Sequence, residues 1–252
     1  MPSASNQLPL FPAESVEPDP VSGFSVREST RAKRLSIKVF PRGKVEVVVP
    51  RRTRANDVRA FVEENRQWID NARRSFADNH PPEPFALPDL IHLHSINQVI
   101  RVRYRHEDGS RSVRFRQSAA ELTLSGCTGN EQLCVGALRR WLTSIARREF
   151  SPQIGALSKL TETPFQKLQI RCQRTCWGSR SSSGTISLNL CLLFLEPELT
   201  RYLMIHELCH GRHMNHSRRF WKYVAQFEPE YKLLDRRLGE SWRQVPTWLG
   251  IY

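Results

Sequence analysis

The sequence predicts an α+β fold in which a small β-hairpin/helix module precedes a larger domain built around one chemically loaded helix. Two stretches alternate apolar with basic residues, as half-buried strands do, and several segments repeat apolar residues at helical spacing. Pro197 then opens a helix that carries the run HELCHGRHMNH.

At 252 residues the chain is long enough for one large domain or two modest ones, each with its own apolar core. Residues 1–23 hold five prolines and three acidic residues but no basic one. Such a segment cannot bury enough apolar surface to order itself, and a disordered tail is expected. From Phe24 the pattern changes. Leu35, Ile37 and Val39, then Val45, Val47 and Val49, alternate along a hairpin that turns at Pro41, Arg42 and Gly43. Val58, Phe61, Val62, Trp68 and Ile69 follow at helical spacing and predict one helix. Residues 24–80 therefore form a basic strand/helix module. Within 24–74, fourteen Lys or Arg stand against six Asp or Glu, leaving +8 there.

The segment HPPEP, 80–84, reads as a connector, and 85–252 as the second domain. Residues 98–117 suggest a second hairpin turning at Glu107, Asp108 and Gly109, with ELTLSG as a third strand. A long helix is expected from Glu131 through Leu138, Trp141 and Ile145, with Pro152 ending or kinking it near Phe150. LQIRCQ and GTISLNLCLLFL read as strands. The alternation of GTISLNL suits either a sheet edge on which a substrate backbone could pair or an ordinary core strand. Ser217 is placed to cap the helix SRRFWKYVAQF, and YKLLDRRLGESW forms the last helix.

A net charge of +13 attracts polyanions, which makes nucleic acid a candidate partner through the basic N-terminal module; a merely solvated basic surface is the alternative. No apolar run reaches the length of a membrane span. The first residues lack the basic start and apolar stretch of a secretory signal, so a cytoplasmic location is expected. The six cysteines are too sparse for a disulfide framework and are expected to be reduced. Cys172 and Cys176 would stand about 13 Å apart on an extended segment, too far to share a metal.

Helical positions four apart share a face, so His206 and His210 can address one ion while Glu207 sits beside them. This is the HExxH arrangement of zinc hydrolases, in which two imidazoles bind the metal and the glutamate moves protons. The five-residue pattern is weak alone, and catalytic zinc needs a third protein ligand. On a continuing helix His213 would lie about 10 Å along the axis from His206, out of reach of a common ion. His216 lies past the expected helix end, where Gly211 and Asn215 allow the chain to turn back. The expected ligands are thus His206, His210 and His216 around one Zn²⁺, with His213 the lesser alternative and Glu207 as catalytic base. Cys209 and Trp177 read as packing residues.

The segment HELCHGRHMNHSRRFWKYV, preceded by WGSRSSSGTISLNLCLLFLEPELTRYLMI, resembles the YgjP-like metallopeptidases, relatives of the SprT-like proteases. RAKRLSIKVFPRGKVEVVVPRRTRANDVRAFVEENRQWI resembles that family's N-terminal strand and helix segment, so the likeness covers nearly everything after residue 24. It implies a zincin-like metallopeptidase domain, with an active-site helix packed on a small sheet. Its pattern falls on His206, Glu207, His210 and His216, followed by the aromatic pair Phe220 and Trp221. The chain departs from it at Cys176 and Arg180, where the family usually has arginine and cysteine, and at Gly211, where a large apolar residue is common. Gly211 is expected to loosen the helix end.

Two functions follow as expectations. One is a zinc metalloendopeptidase acting on a protein or peptide substrate. The other is a nucleic-acid-associated protein with a structural zinc, and the two combine in a protease recruited to DNA.

Overall fold

A computed structural model describes residues 23–30, 32–39, 45–79, 85–174 and 176–250. The expected tail before Gly23, the turn at Pro41–Gly43 and the connector 80–84 lie outside the described residues. The fold mixes helix and sheet and divides into two compact units between residues 83 and 84.

The first unit contains β1 (Ser25–Glu28), β2 (Ser36–Val39), β3 (Val45–Val49), α1 (Ala55–Glu64) and α2 (Arg66–Asn79). β3 is central, antiparallel to β2 and parallel to β1, a strand that the alternation did not separate from the hairpin. Val47, Val49 and Val58 form its core, with Phe24, Val26, Leu35, Ile37, Phe61 and Val62 packed around them. The single helix expected here is two. Asn65 breaks it by leaving helical backbone (φ −101°, ψ 8°) while its side-chain amide donates to Phe61 O at 2.8 Å, a local bond that competes with the ladder.

In the second unit, β4 (Leu90–Leu93), β5 (Gln98–His106), β6 (Val113–Ser118) and β7 (Glu121–Gly126) form a sheet of order β4-β5-β7-β6. This corrects the expected hairpin over 98–117. The turn with Gly109 exists, but β7 is inserted between β5 and β6, parallel to the first and antiparallel to the second. Leu122 and Leu124 of β7 are wholly buried, and a strand that apolar is favoured with neighbours on both edges.

The helix α3 (Glu131–Leu160) runs through Pro152 rather than stopping at Phe150. Phe150 and Ile154, both fully buried, anchor the helix on either side of the proline, and Ser151 Oγ donates to Arg147 O at 2.6 Å. Tertiary burial here outweighs the lost backbone bond.

A three-stranded sheet of order β8-β10-β9 follows: β8 (Lys167–Arg171), β9 (Gly178–Arg180) and β10 (Thr185–Asn189). β10 is its middle strand, so GTISLNL is a core strand and not an open edge. The expected strand also ends early. Asn189 caps a 3₁₀ turn over Leu190–Phe194 by accepting from Cys191 N. Pro197 then starts α4 (Pro197–Cys209), followed by α5 (Arg218–Phe227) and α6 (Tyr231–Glu240). α4 packs against α3, α5, α6 and both β9 and β10. Among the described residues, no helix is long and apolar enough to cross a membrane.

Candidate metal centre

α4 is buried over most of its length, with Leu203, Met204, Ile205, Leu208 and Cys209 among its covered residues. Cys209 is a packing residue, its thiol pushed up to about 12 chiefly by burial. Four-residue spacing puts Tyr202, His206 and His210 on one face of this helix. The chain leaves the helix at His210, turns through Gly211–Ser217 and enters α5, where Ser217 Oγ accepts from Phe220 N at 3.4 Å. That reversal returns His216 to the helix face.

The structure brings His206, His210 and His216 together, with their ligand atoms all within 4.8 Å of one another. The ring of His213 is not among them. Its backbone carbonyl accepts from His210 Nδ1 at 3.0 Å, which leaves the Nε2 lone pair of His210 free. A second chain of bonds fixes His206. Tyr202 OH donates to Asp235 Oδ1 at 2.8 Å, and its oxygen lies 3.5 Å from His206 Nδ1, placed to accept. His206 Nε2 then faces His216 Nε2 at 2.9 Å. Burial first, and the neighbouring imidazoles second, hold His206 down to about 3, so its ring is neutral near pH 7. His210 is lowered for the same first reason.

His206 Nε2 and His216 Nε2 stand 2.9 Å apart, close enough to share either a proton or, with both rings in the Nδ1–H form, a single cation. Bonds near 2.1 Å in tetrahedral geometry place ligand atoms about 3.4 Å apart. The cluster thus fits a small divalent ion held by three imidazoles. Phe220 stacks on His210 (4.5 Å, 24°) and Trp221 on His216 (5.5 Å, 26°), fixing both ring planes.

Glu207, only 4% exposed, points from α4 toward β9. A methyl at Gly178 would lie 2.9 Å from its Oε1, so glycine there makes room for the carboxyl. Burial pushes Glu207 up to about 8, against the opposing pull of Arg180. A divalent charge nearby acts in the same direction as Arg180. Among the described residues, Glu207 Oε2 and Arg180 Nη1 are both buried without a hydrogen-bond partner.

Arg180 is therefore part of the site's electrostatics, which the sequence marked only as a departure from a pattern. Its Nη2 donates to Pro164 O at 2.7 Å. At Gly211, where a loosened helix end is expected, the backbone makes a close approach. A Cβ there would lie 2.3 Å from Thr163 Cγ2 and 2.8 Å from Arg180 Nη2, so the glycine permits a close approach. Tyr202 was legible as the residue one turn before His206; Asp235, far along the chain, carried no such signal. Trp177 is a packing residue, stacked on Trp242 at 4.0 Å and donating to Leu238 O at 3.0 Å.

Imidazoles paired on one helix with a third arriving from the following loop, and a carboxyl alongside, could hold a metal ion and match a donor set that zinc hydrolases use. The model of the YgjP-like metallopeptidase domain matches residues 33–241, and the chain belongs to that family. No curated protein sequence matches. Among solved structures, the metallopeptidase zymogen of Pyrococcus abyssi abylysin is similar, with TM-score 0.34 and 26% identity over 36% of this chain and 93% of that one.

Proposed function

We propose that the chain is a zinc-dependent peptidase of the HExxH type and zincin-like arrangement, holding one Zn²⁺ on His206, His210 and His216. The convergence of the His206, His210 and His216 rings, with Tyr202 facing Nδ1 of His206 and the His213 carbonyl facing Nδ1 of His210, carries this reading. When bound, the ion supplies Lewis acidity, making a water easier to deprotonate and the scissile carbonyl easier to attack.

The chain's own residues do the rest. Glu207 takes a proton from the attacking water and delivers it to the leaving amine. Gly178 lets that carboxyl reach its place, and Arg180 favours its ionised form. Phe220 and Trp221 hold the imidazole planes of His210 and His216.

The alternative, a nucleic-acid-associated protein with a structural zinc, draws on the excess of basic residues in 24–74. Structural zinc sites are closed by four protein ligands. Among the described residues the cluster offers three, which favours an ion with one open position. The substrate is a protein or peptide.

Metal content and cleavage of an unfolded protein substrate test the reading together. His206→Ala and His216→Ala are expected to lose both, and Glu207→Gln to keep the metal while losing cleavage. Full cleavage by Glu207→Gln overturns the assigned base.

A further inference from the structure

The sheet β4-β5-β7-β6 has two unlike faces. On one, Ile100, Val102, Leu122, Leu124 and Val113 are buried, and α3 covers them: Trp141 Nε1 donates to Gln117 Oε1 at 2.9 Å and Arg140 Nη2 to Val113 O at 2.8 Å. The opposite face is open. β5 presents Arg101, Arg103 and Arg105 there, all exposed, and β6 presents Arg114 and Arg116.

Strand register orders these charges. Arg103, Thr123 and Arg116 form one row across the sheet, and Arg105, Ser125 and Arg114 the next. Rows two residues apart are spaced by roughly 6.7 Å, and the flanking strands β5 and β6 stand about 9.6 Å apart across β7. The two rows are thus a pair of arginine columns separated by short hydroxyl side chains. Acidic neighbours are few. Glu121 pairs with Arg103 at 2.6 Å and Glu107 with Arg114 at 2.7 Å, and among the described residues Arg101, Arg105 and Arg116 have no ion pair. Like charges gathered on one sheet face destabilise it, an arrangement that a bound polyanion reverses.

The same face ends in an apolar seat. Leu90, opposite Arg101, is 48% exposed and Val99 is 47% exposed. With Arg101, Ser118 and Glu121 they line an open depression of about 410 Å³.

We propose that this face binds single-stranded nucleic acid, the arginine columns taking phosphates and the seat at Leu90 and Val99 taking an unstacked base. Repeating anions at regular intervals satisfy arginines arranged in a ladder, and Thr123 and Ser125 add hydroxyl donors to phosphate oxygens. A charged track beside an apolar platform is what a single strand requires. In a duplex the bases face one another, which leaves the seat empty. A run of Asp and Glu alone answers the charge but carries no ring for the seat. The site is separate from the His206 cluster and does not depend on cleavage.

The test uses the full chain, a fluorescein-labelled oligothymidylate and anisotropy titrations across a salt series. Arg101→Gln/Arg105→Gln/Arg116→Gln removes the three unpaired charges and leaves both ion pairs intact. It is expected to weaken binding at least tenfold and to reduce the slope of log K against log salt by about 2, at 0.7 per phosphate contact. Leu90→Ser is expected to weaken binding severalfold with the slope unchanged, a separate readout should the triple variant fold poorly. The proposal is overturned by absence of binding, by a triple variant that binds with the wild-type slope, by tighter binding of a duplex of the same sequence, or by equal competition from poly-glutamate at matched charge. A wild-type slope in the triple variant would locate binding elsewhere, such as residues 24–74. Cleavage plays no part in the readout, so its loss or retention bears only on the peptidase reading.

Discussion

Gly178 and the carboxylate of Glu207 occupy space that no larger residue at 178 could share: a Cβ there would lie 2.9 Å from Oε1 and 3.0 Å from Cγ. β9 thereby sets how far the proposed base can retreat from α4. Gly178→Ala should push the carboxyl aside without touching the imidazoles. The expected result is a fall in kcat on the order of 10²-fold, the usual cost of a misplaced catalytic group, with metal content unchanged. Steady-state kinetics beside metal analysis would show it; wild-type kcat would mean that Glu207 yields without consequence.

Tyr202 links Asp235 to His206. In Tyr202→Phe the His206 ring loses the oxygen facing Nδ1, and Asp235 loses its donor. Partners of this kind are worth about 10–100-fold in metal affinity, and a loss in that range is expected from chelator-competition titrations. An unchanged affinity would show that packing alone orients His206.

The close approach at Gly211 predicts a stability effect. Gly211→Ala forces a methyl against Thr163, which is itself tied down by Thr163 Oγ1 donating to Thr161 O at 2.9 Å. Overpacking of this kind costs about 1–3 kcal/mol, readable in denaturant melts. A neutral or stabilising outcome would instead support the expectation that the helix end is loose.

Metal removal gives a further check. A ligand that binds only the folded state stabilises by about 2.7 kcal/mol at a hundred times its Kd. Chelation should therefore lower the Tm of the wild type and leave that of His216→Ala unmoved. Equal shifts in both would place the stabilising ion elsewhere.

Cys172 offers a pH-dependent readout away from the metal cluster. The thiol of Cys191 beside it, with Arg139 and Arg174, brings Cys172 down to about 7 from the ordinary 9.0, and the residue is exposed. A lowered pKa means that thiolate appears earlier as pH rises. Alkylation of Cys172, followed by peptide mass mapping, should climb at lower pH than that of an ordinary thiol and ahead of buried Cys134, whose thiol burial raises.

The sequence made the chemistry legible because its elements are local. His206, Glu207 and His210 share one helix, and the four-residue period alone puts the two imidazoles on a common face. His216 followed from chain geometry, since a turn within a few residues is the only route back. The strand order of the second unit was not legible. Which strands pair depends on which can bury both edges, and the wholly buried leucines of β7 claimed the place between β5 and β6. Pro152 and Asn65 likewise show local preference decided by surroundings: buried neighbours carried α3 past the proline, whereas a side-chain bond stopped α1 at Asn65.

By itself, then, the sequence determined the mixed helix and sheet content, the metal-binding chemistry available to one helix, and the excess of positive charge. Only the tertiary structure decided that Arg180 and Gly178 stand at Glu207, that Asp235 steadies His206 through Tyr202, and that arginines from β5 and β6 line up on one open face. Periodicity along a chain encodes what neighbours in sequence share, while contacts between distant segments are selected by the joint packing of every buried side chain, a quantity no single segment contains.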